Sequence, residues 1–256
     1  MAQRHSRFSV FSQAFREARR PMLTWSAVMV AVILLLLAVA ALADASLARP
    51  MPGWLALLLG VSAQGAGPDG ARAWWLAAAF NFALPVLMVI YAARQGSLLM
   101  ARDEERGSLG FLLATPLPRS LLVVEKFAAL LLVLLVPAVV VWLAGALTGT
   151  FDLRLALGLF LLGLAFGAPA FALGAVTGRQ ALSQNIVLAA ALLTFLIDRL
   201  VPHSPAEAAL RLLSPFSYYG AIRADGLIGP AVVLLGLSLL AFVIGWMVFN
   251  RRDLRI

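Results

Sequence analysis

RDEERGSLGFLLATPLPRSLLVVEK, residues 102–126, is a charged interruption between two long apolar runs, residues 73–93 and 127–147. It opens on an arginine and three consecutive acids and closes on Lys126. A helix needs about 20 apolar residues to cross a bilayer core of roughly 30 Å, and each flanking run is long enough. The stretch is therefore predicted to be a polar connection between two membrane helices.

The remainder of the chain extends this pattern to a whole membrane domain. Of its 256 residues, 62% are hydrophobic and only 12% are charged, which is too little charge for the surface of a soluble domain. The apolar runs are continuous and do not alternate as barrel strands do, so they predict an all-α membrane protein. Six transmembrane helices are predicted in this single domain, at residues 22–43, 73–93, 127–147, 155–176, 181–201 and 227–249.

The first apolar run follows several arginines and ends in ALADAS, residues 41–46, which is similar to a signal-peptide cleavage site. The apolar core of a signal peptide has about 7–15 residues, and this run is longer. It is expected to remain as a membrane span.

The basic residues predict the orientation of the spans. Fourteen of the 20 lysines and arginines fall on one side of the membrane if the spans alternate, namely the side that holds both termini and residues 94–126. Basic residues accumulate on the cytoplasmic side of membrane proteins. Both termini and residues 94–126 are therefore predicted to be cytoplasmic, which also explains the net charge of +8 without a nucleic-acid partner.

Residues 1–21 precede the first span. Phe8, Phe11 and Phe15 share one helical stripe, with arginines beside it, so an interfacial helix is favoured over a disordered flank. Pro21 is expected to break this helix from the span. The segments 44–72 and 198–226 lie on the outer side and contain short helical patterns at residues 52–61 and 206–213. They are expected to be re-entrant elements or docking surfaces.

Proline and glycine occur inside the predicted spans. Pro85, Pro137 and Pro169 each remove a backbone N–H, and they indicate either hinges of a gated pathway or static kinks. Gly163 and Gly167 have the spacing that lets two helices approach closely. The sequence does not indicate whether the partner helix belongs to the same chain.

Several function classes lack the residues that they need. The chain has no cysteine and two histidines, without metal-ligand spacing, and it has no GxxxxGK[ST] phosphate loop. The span interiors are nearly free of charge, which disfavours an autonomous ion-coupled carrier or channel. Asp198 and Arg199 are expected to form an ion pair at a helix end. No catalytic residue or metal ligand is assigned, and no cofactor is expected on this chain.

The connection itself predicts a docking helix. Gly107 ends the acidic turn, Leu109, Leu112 and Leu113 share one helical face, and Pro116 follows Thr115 as the first residue of a new helix. An apolar-faced helix between two spans fits a groove on a soluble partner, and the acids are expected to pair with basic residues there.

These residues resemble the inner loop of ABC-2 type permeases, the membrane subunits of a class of ABC transporters. The resemblance rests on Glu104, Glu105, Gly107, Ser108, Leu109, Leu112, Leu113, Pro116, Arg119 and Lys126. Ser108 stands where that family more often has threonine, and Pro118 where it has a small polar residue. LSPFSYY at 213–219 and FNRRDL at 249–254 are also similar to that family.

The resemblance implies a function and its partners. Two permease subunits would pair in a bacterial inner membrane, and each would bind a separate ATPase subunit, which holds ATP and Mg²⁺, through a cytoplasmic coupling helix. Substrate would be exported along the second and fifth spans, where Asn81 and Phe82 are candidate contacts. The lack of charge inside the spans favours a hydrophobic or amphipathic substrate. A scaffold that uses the ATPase for envelope or cofactor-site assembly shares this loop and stays open as an alternative.

Overall fold

The computed structural model describes residues 9–42, 52–61, 71–105, 107, 119–148, 153–201, 208–224 and 226–251. These residues form helices, and no β-strand occurs among them. Six helical segments in this part of the chain are long and apolar enough to cross a membrane. For the described residues, the predicted all-α architecture with six candidate spans is therefore confirmed.

The helices are α1 (Ser9–Leu42), α2 (Gly53–Leu59), α3 (Ala71–Ala78), α4 (Leu84–Glu105), α5 (Arg119–Thr148), α6 (Leu153–Thr177), α7 (Gln180–Leu200), α8 (Ala208–Arg211), α9 (Pro215–Ala224) and α10 (Ile228–Arg251). A π-helical segment, Ala79–Ala83, joins α3 to α4, so the second span is continuous from Trp74 to Glu105. We call the end of the bundle where α4 ends and α7 begins the Glu105 end. The opposite end, where α7 ends, is the Arg199 end.

Helix α1 differs from the prediction at Pro21. The expected break is not found, because Pro21 lies inside a helix that continues from Ser9 to Leu42. Proline at this position frees only the carbonyl of the residue four positions earlier, and the rest of the helix ladder is kept. Packing also supports the first turns: Ala18 is buried, and the Glu17 carboxylate accepts a hydrogen bond from Arg102 at 3.0 Å. Phe8 lies outside the described residues.

Helix α4 extends further than the apolar run of the second span. Its last turns, from Arg94 to Glu105, are helical, and α5 begins at Arg119. Hydropathy marks the apolar part of a helix, whereas arginine, glutamine, leucine, methionine and glutamate in residues 94–105 all have good helix propensity. The chain turns at Gly107, where φ is +67° and the N–H donates to the Glu104 carbonyl at 3.1 Å.

Helix α6 lies at the centre of the bundle. Every residue from Leu161 to Ala168 is buried, which is the burial of a helix surrounded by others. Two of its glycines lie close to α4: the Cα of Gly163 lies against Met88, and Gly167 packs against Ala92. The small-residue pair therefore serves packing within this chain, a point that the sequence left open.

Candidate functional site

An apolar cleft of about 370 Å³ lies between the second and fifth spans. Its described lining comes from the second span, from α7 and from α9, and every side chain in it is apolar: Phe82, Val86, Val89, Ile90, Leu188, Ala191, Leu192, Phe195 and Phe216. Three phenylalanine rings gather toward one end, with centroids of Phe82 and Phe195 5.8 Å apart and those of Phe195 and Phe216 5.3 Å apart. Such a surface suits an apolar ligand that needs no desolvated charge partner.

The two substrate-contact candidates from the sequence separate in the structure. Phe82 lines the cleft. The side chain of Asn81 is used elsewhere, because its Nδ2 donates to the carbonyl oxygen of Gly60 at 2.6 Å and so ties the second span to the turn after α2. Asn81 thus occupies a structural position beside the cleft, and Phe82 is the candidate for direct contact.

The π-helical segment beside the cleft has a local cause in Pro85. In an α-helix the N–H of residue 85 would bind the carbonyl of Asn81, and proline has no N–H. One residue earlier, the Leu84 N–H binds the Ala79 carbonyl and bypasses that of Phe80. Two neighbouring carbonyls are thereby left for other donors, as happens at π-bulges near functional sites.

Side chains from other helices donate hydrogen bonds to both of these carbonyls. The Tyr219 hydroxyl on α9 donates to the Phe80 carbonyl at 2.8 Å. Arg199, at the end of α7, donates through Nη2 to the Asn81 carbonyl at 2.6 Å. The irregular backbone of the second span therefore becomes the attachment point for the fifth span and for α9.

Arg199 belongs to a larger polar group at this end of the bundle. The predicted ion pair forms, with 3.7 Å between Arg199 Nε and Asp198 Oδ2, and Arg211 joins it at 3.3 Å from Asp198 Oδ1. The guanidinium of Arg199 also lies over the Phe195 ring, 5.3 Å from its centroid. This arrangement fixes the side chain from several directions, as expected of a positioned structural arginine.

Replacing Tyr219 by phenylalanine tests whether the donor to the Phe80 carbonyl matters. The substitution removes one hydroxyl and leaves a buried carbonyl without that partner, so we expect a loss of about 1–3 kcal/mol in the free energy of unfolding. Tyr218→Phe is the matched control, because its hydroxyl bonds the Leu212 carbonyl at an exposed site. Thermal unfolding midpoints in detergent should fall clearly for Tyr219→Phe only, and equal midpoints would contradict the assignment.

Pro137 shows the same chemistry in the third span. Its missing N–H frees the Val133 carbonyl, and the buried Tyr91 hydroxyl of α4 donates to that oxygen at 3.2 Å. The prolines at 85 and 137 thus sit beside carbonyls that already have donors from another helix. Of the two interpretations of these prolines, the contacts favour fixed kinks in this conformation.

At the Glu105 end, charged side chains tie neighbouring spans together. Lys126 is buried near the start of α5, and its Nζ donates to Asp103 Oδ2 on α4 at 2.5 Å. Arg102 pairs with Glu17 of α1 at 3.0 Å between Nη1 and Oε2. A buried ammonium needs such a partner, since removing the carboxylate would leave an uncompensated charge.

The acids next to the loop also contact the turn between α6 and α7. The backbone N–H of Gln180, the first residue of α7, donates to Glu105 Oε1 at 2.7 Å. A carboxylate at a helix N-terminus is stabilised by the helix dipole by about 0.3–1 kcal/mol. The Glu104 carboxylate lies directly over the Cα of Gly178, where any Cβ would overlap it. All three acids at the end of α4 therefore contact their own chain.

The described residues cover the edges of the predicted coupling helix and not its body. Glu104, Glu105 and Gly107 are placed as given above, and Arg119 begins α5, with its side chain outside the described part. Ser108, Leu109, Leu112, Leu113 and Pro116 lie outside the described residues. Their predicted role in binding an ATPase stays a prediction.

Sequence reasoning did not find Glu17, Gly178 and Gln180 as partners of this end. Each of these residues is far in sequence from residues 102–126, and its neighbours in the sequence do not indicate a contact with them. Among the described residues, no three histidine, cysteine, aspartate or glutamate side chains gather as metal ligands would. The site is thus an uncharged cleft with a polar attachment at either end.

The described residues include six candidate spans with an apolar cleft between two of them, which is the architecture of a membrane permease. The comparison with protein families agrees: the ABC-2 family transporter proteins match this chain over residues 8–254. The chain belongs to that family and is a membrane permease of the ABC transporter class. Among curated proteins no match was found.

Proposed function

We propose that this chain is the permease subunit of an ATP-driven exporter for a hydrophobic or amphipathic substrate in the bacterial inner membrane. It works as one of two paired permease subunits, each bound to a separate ATPase subunit. The observation that carries the substrate class is the cleft between the second and fifth spans, whose described lining is entirely apolar and aromatic. An ion or sugar would lose its hydration there without gaining a polar partner.

The ATPase is proposed as a separate subunit, and these 256 residues contain no phosphate loop that would hold ATP. ATP and Mg²⁺ bind on that partner. The connection between α4 and α5, within residues 94–126, is its proposed attachment, since two rigid spans flank it and the sequence predicts an apolar-faced helix within it. The family supports this proposal, because ABC-2 permeases normally work with an ABC ATPase.

The proposed orientation places the Glu105 end and both termini in the cytoplasm. The chain has no native cysteine, so single cysteines report accessibility cleanly. Arg251→Cys lies at the Glu105 end, and Gly53→Cys lies at the Arg199 end, where a Cβ meets no neighbour within 4 Å. In intact cells a membrane-impermeant maleimide should label the cysteine at position 53 and should label position 251 only after permeabilisation. The reverse pattern would invert the topology.

Phe82→Ala tests the cleft as the substrate site. Losing the ring removes about 1.5–3 kcal/mol of apolar contact, so we expect about ten- to hundredfold weaker binding of an apolar ligand. The measurement is fluorescence titration of the purified complex with a panel of apolar dyes, followed by ATP-dependent uptake of the bound dyes into inverted vesicles.

Leu193→Ala is the matched control for this titration. Leu193 is on the fifth span, but it is exposed on the outside of the bundle and does not line the cleft. Dye binding that survives Phe82→Ala as well as Leu193→Ala would place the substrate elsewhere. A complex that hydrolyses ATP yet neither binds nor moves any apolar ligand would favour the assembly scaffold over the exporter.

A further inference from the structure

The fifth span, α7, is held differently at its two ends. At the Arg199 end, Arg199 donates to the Asn81 carbonyl at 2.6 Å and Arg211 pairs with Asp198 at 3.3 Å. The Ser214 hydroxyl donates to the Thr194 carbonyl at 2.8 Å, and Phe195 stacks against neighbouring rings. These contacts reach α7 from the second span and from the segment that leads into α9, so this end is anchored from several sides.

At the Glu105 end, α7 contacts the acidic residues in the last turn of α4. Glu105 Oε1 accepts the Gln180 N–H at 2.7 Å, and Glu104 covers Gly178. The turn before α7 has φ of +63° at Gly178, a backbone conformation that glycine adopts without strain. Glu105 is exposed, so this single hydrogen bond can break and re-form during a reaction cycle.

The remainder of α7 allows such movement. Its buried residues form one narrow stripe: Ser183, Val187, Ala191, Phe195 and Asp198. The opposite face is exposed, with Leu182, Ile186 and Leu193 among its exposed residues. In contrast with α6, which is surrounded, α7 can tilt about its anchored end while disturbing a single line of contacts.

We propose that Glu105 is the positioning residue that carries movement of the ATPase-binding loop to the fifth span. Glu105 is the last residue of α4, and the connection that we assign to the ATPase begins directly after it. Displacement of that loop moves the N-terminus of α7, which pivots on the cluster around Arg199 and changes the width of the apolar cleft. This inference rests on the proposed function and adds a route from the loop to the cleft.

The test uses spin-label distances in the complex with its ATPase. Cysteines at Leu182 and Met247 form a pair between α7 and α10 near the Glu105 end, and cysteines at Leu200 and Val232 form a pair at the Arg199 end. All four side chains are exposed, and no native cysteine competes for label. Distances are compared between the nucleotide-free complex and a complex trapped with ATP by a hydrolysis-deficient ATPase.

We expect ATP to shift the Leu182–Met247 distance and to leave the Leu200–Val232 distance unchanged. Glu105→Ala should abolish the shift while ATPase still co-elutes on size exclusion. Glu105→Gln, which keeps an oxygen acceptor for the Gln180 N–H, should retain it. Glu17→Ala is the matched control, because it removes an ion pair at the same end without touching α7, and the shift should persist.

Each contrary outcome has a definite meaning. If Glu105→Ala shows the same distance shift as the wild type, or if both distance pairs shift equally, the proposed role of Glu105 is overturned. Loss of ATPase binding in Glu105→Ala would assign that carboxylate to the partner and overturn it as well. Failure of the wild-type chain to bind any ATPase would instead overturn the proposed function.

Discussion

Replacing Gly96 by alanine is expected to separate the two most central helices of the bundle. A Cβ at this position would overlap the carbonyl oxygen of Gly167 and would lie 3.0 Å from the backbone nitrogen of Phe171. Backbone atoms of α6 cannot rotate away as a side chain can, so α4 and α6 must move apart. Overpacking of a core typically costs about 1–3 kcal/mol and sometimes more, and we expect the upper part of that range here.

Two other glycines provide a graded series for this prediction. At Gly163 the added Cβ would meet the flexible end of Met88, which can shift, so a smaller loss is expected. At Gly236, on α10, no atom lies within 4 Å, and alanine should be neutral or stabilise by up to about 1 kcal/mol through helix propensity. Thermal unfolding midpoints in detergent should rank Gly236→Ala above Gly163→Ala above Gly96→Ala. An unchanged midpoint for Gly96→Ala would contradict the close approach of α4 and α6.

The membrane spans could be predicted because hydropathy reports apolar runs directly. The residues at which the helices end could not be predicted in this way. Residues 94–105 carry charges, and hydropathy therefore assigned them to the loop, yet they continue α4 as regular helix. Charged residues with good helix propensity extend a membrane helix into water without any apolar signal. At Pro21 the sequence predicted a helix break that does not occur. Contacts between α1 and α4, such as the hydrogen bond from Arg102 to Glu17, support the helix on either side of a residue with poor helix propensity.

The environment of the cleft was only partly predictable. Pro85 signals from sequence alone that the Asn81 carbonyl needs a new donor. The sequence does not reveal which side chain will donate to that carbonyl, because the answer depends on tertiary structure. The donor in the structure, Arg199, lies 118 residues further along the chain. For the same reason the sequence placed Asn81 and Phe82 together as contact candidates, although Asn81 binds the Gly60 carbonyl and Phe82 faces the cleft.

Replacing Leu109 or Leu112 by aspartate is expected to abolish association with the ATPase. The spacing of the two leucines places them on one face of the predicted coupling helix, which we assign to a groove of the partner. A carboxylate buried there without a partner costs several kcal/mol, so affinity should fall by about a hundredfold or more. Titration of the purified ATPase onto immobilised permease measures this directly.

Phe111→Asp is the matched control for the two leucine variants. It adds the same charge, and residue 111 falls on the opposite face of a helix through residues 109–113. We expect Phe111→Asp to bind the ATPase nearly as well as the wild type. Equal binding by all three variants would remove the coupling role from this helix, and equal loss by all three would show that the added charge matters and not the face.

The central claim, a permease driven by a separate ATPase, is tested most directly by purifying the tagged chain from its native membranes and identifying what remains bound. We predict a complex with an ATP-hydrolysing subunit in a one-to-one ratio, whose hydrolysis stops when the phosphate-loop lysine of that subunit is replaced. A chain that purifies without any ATPase and moves apolar dyes across vesicle membranes on its own would contradict the account.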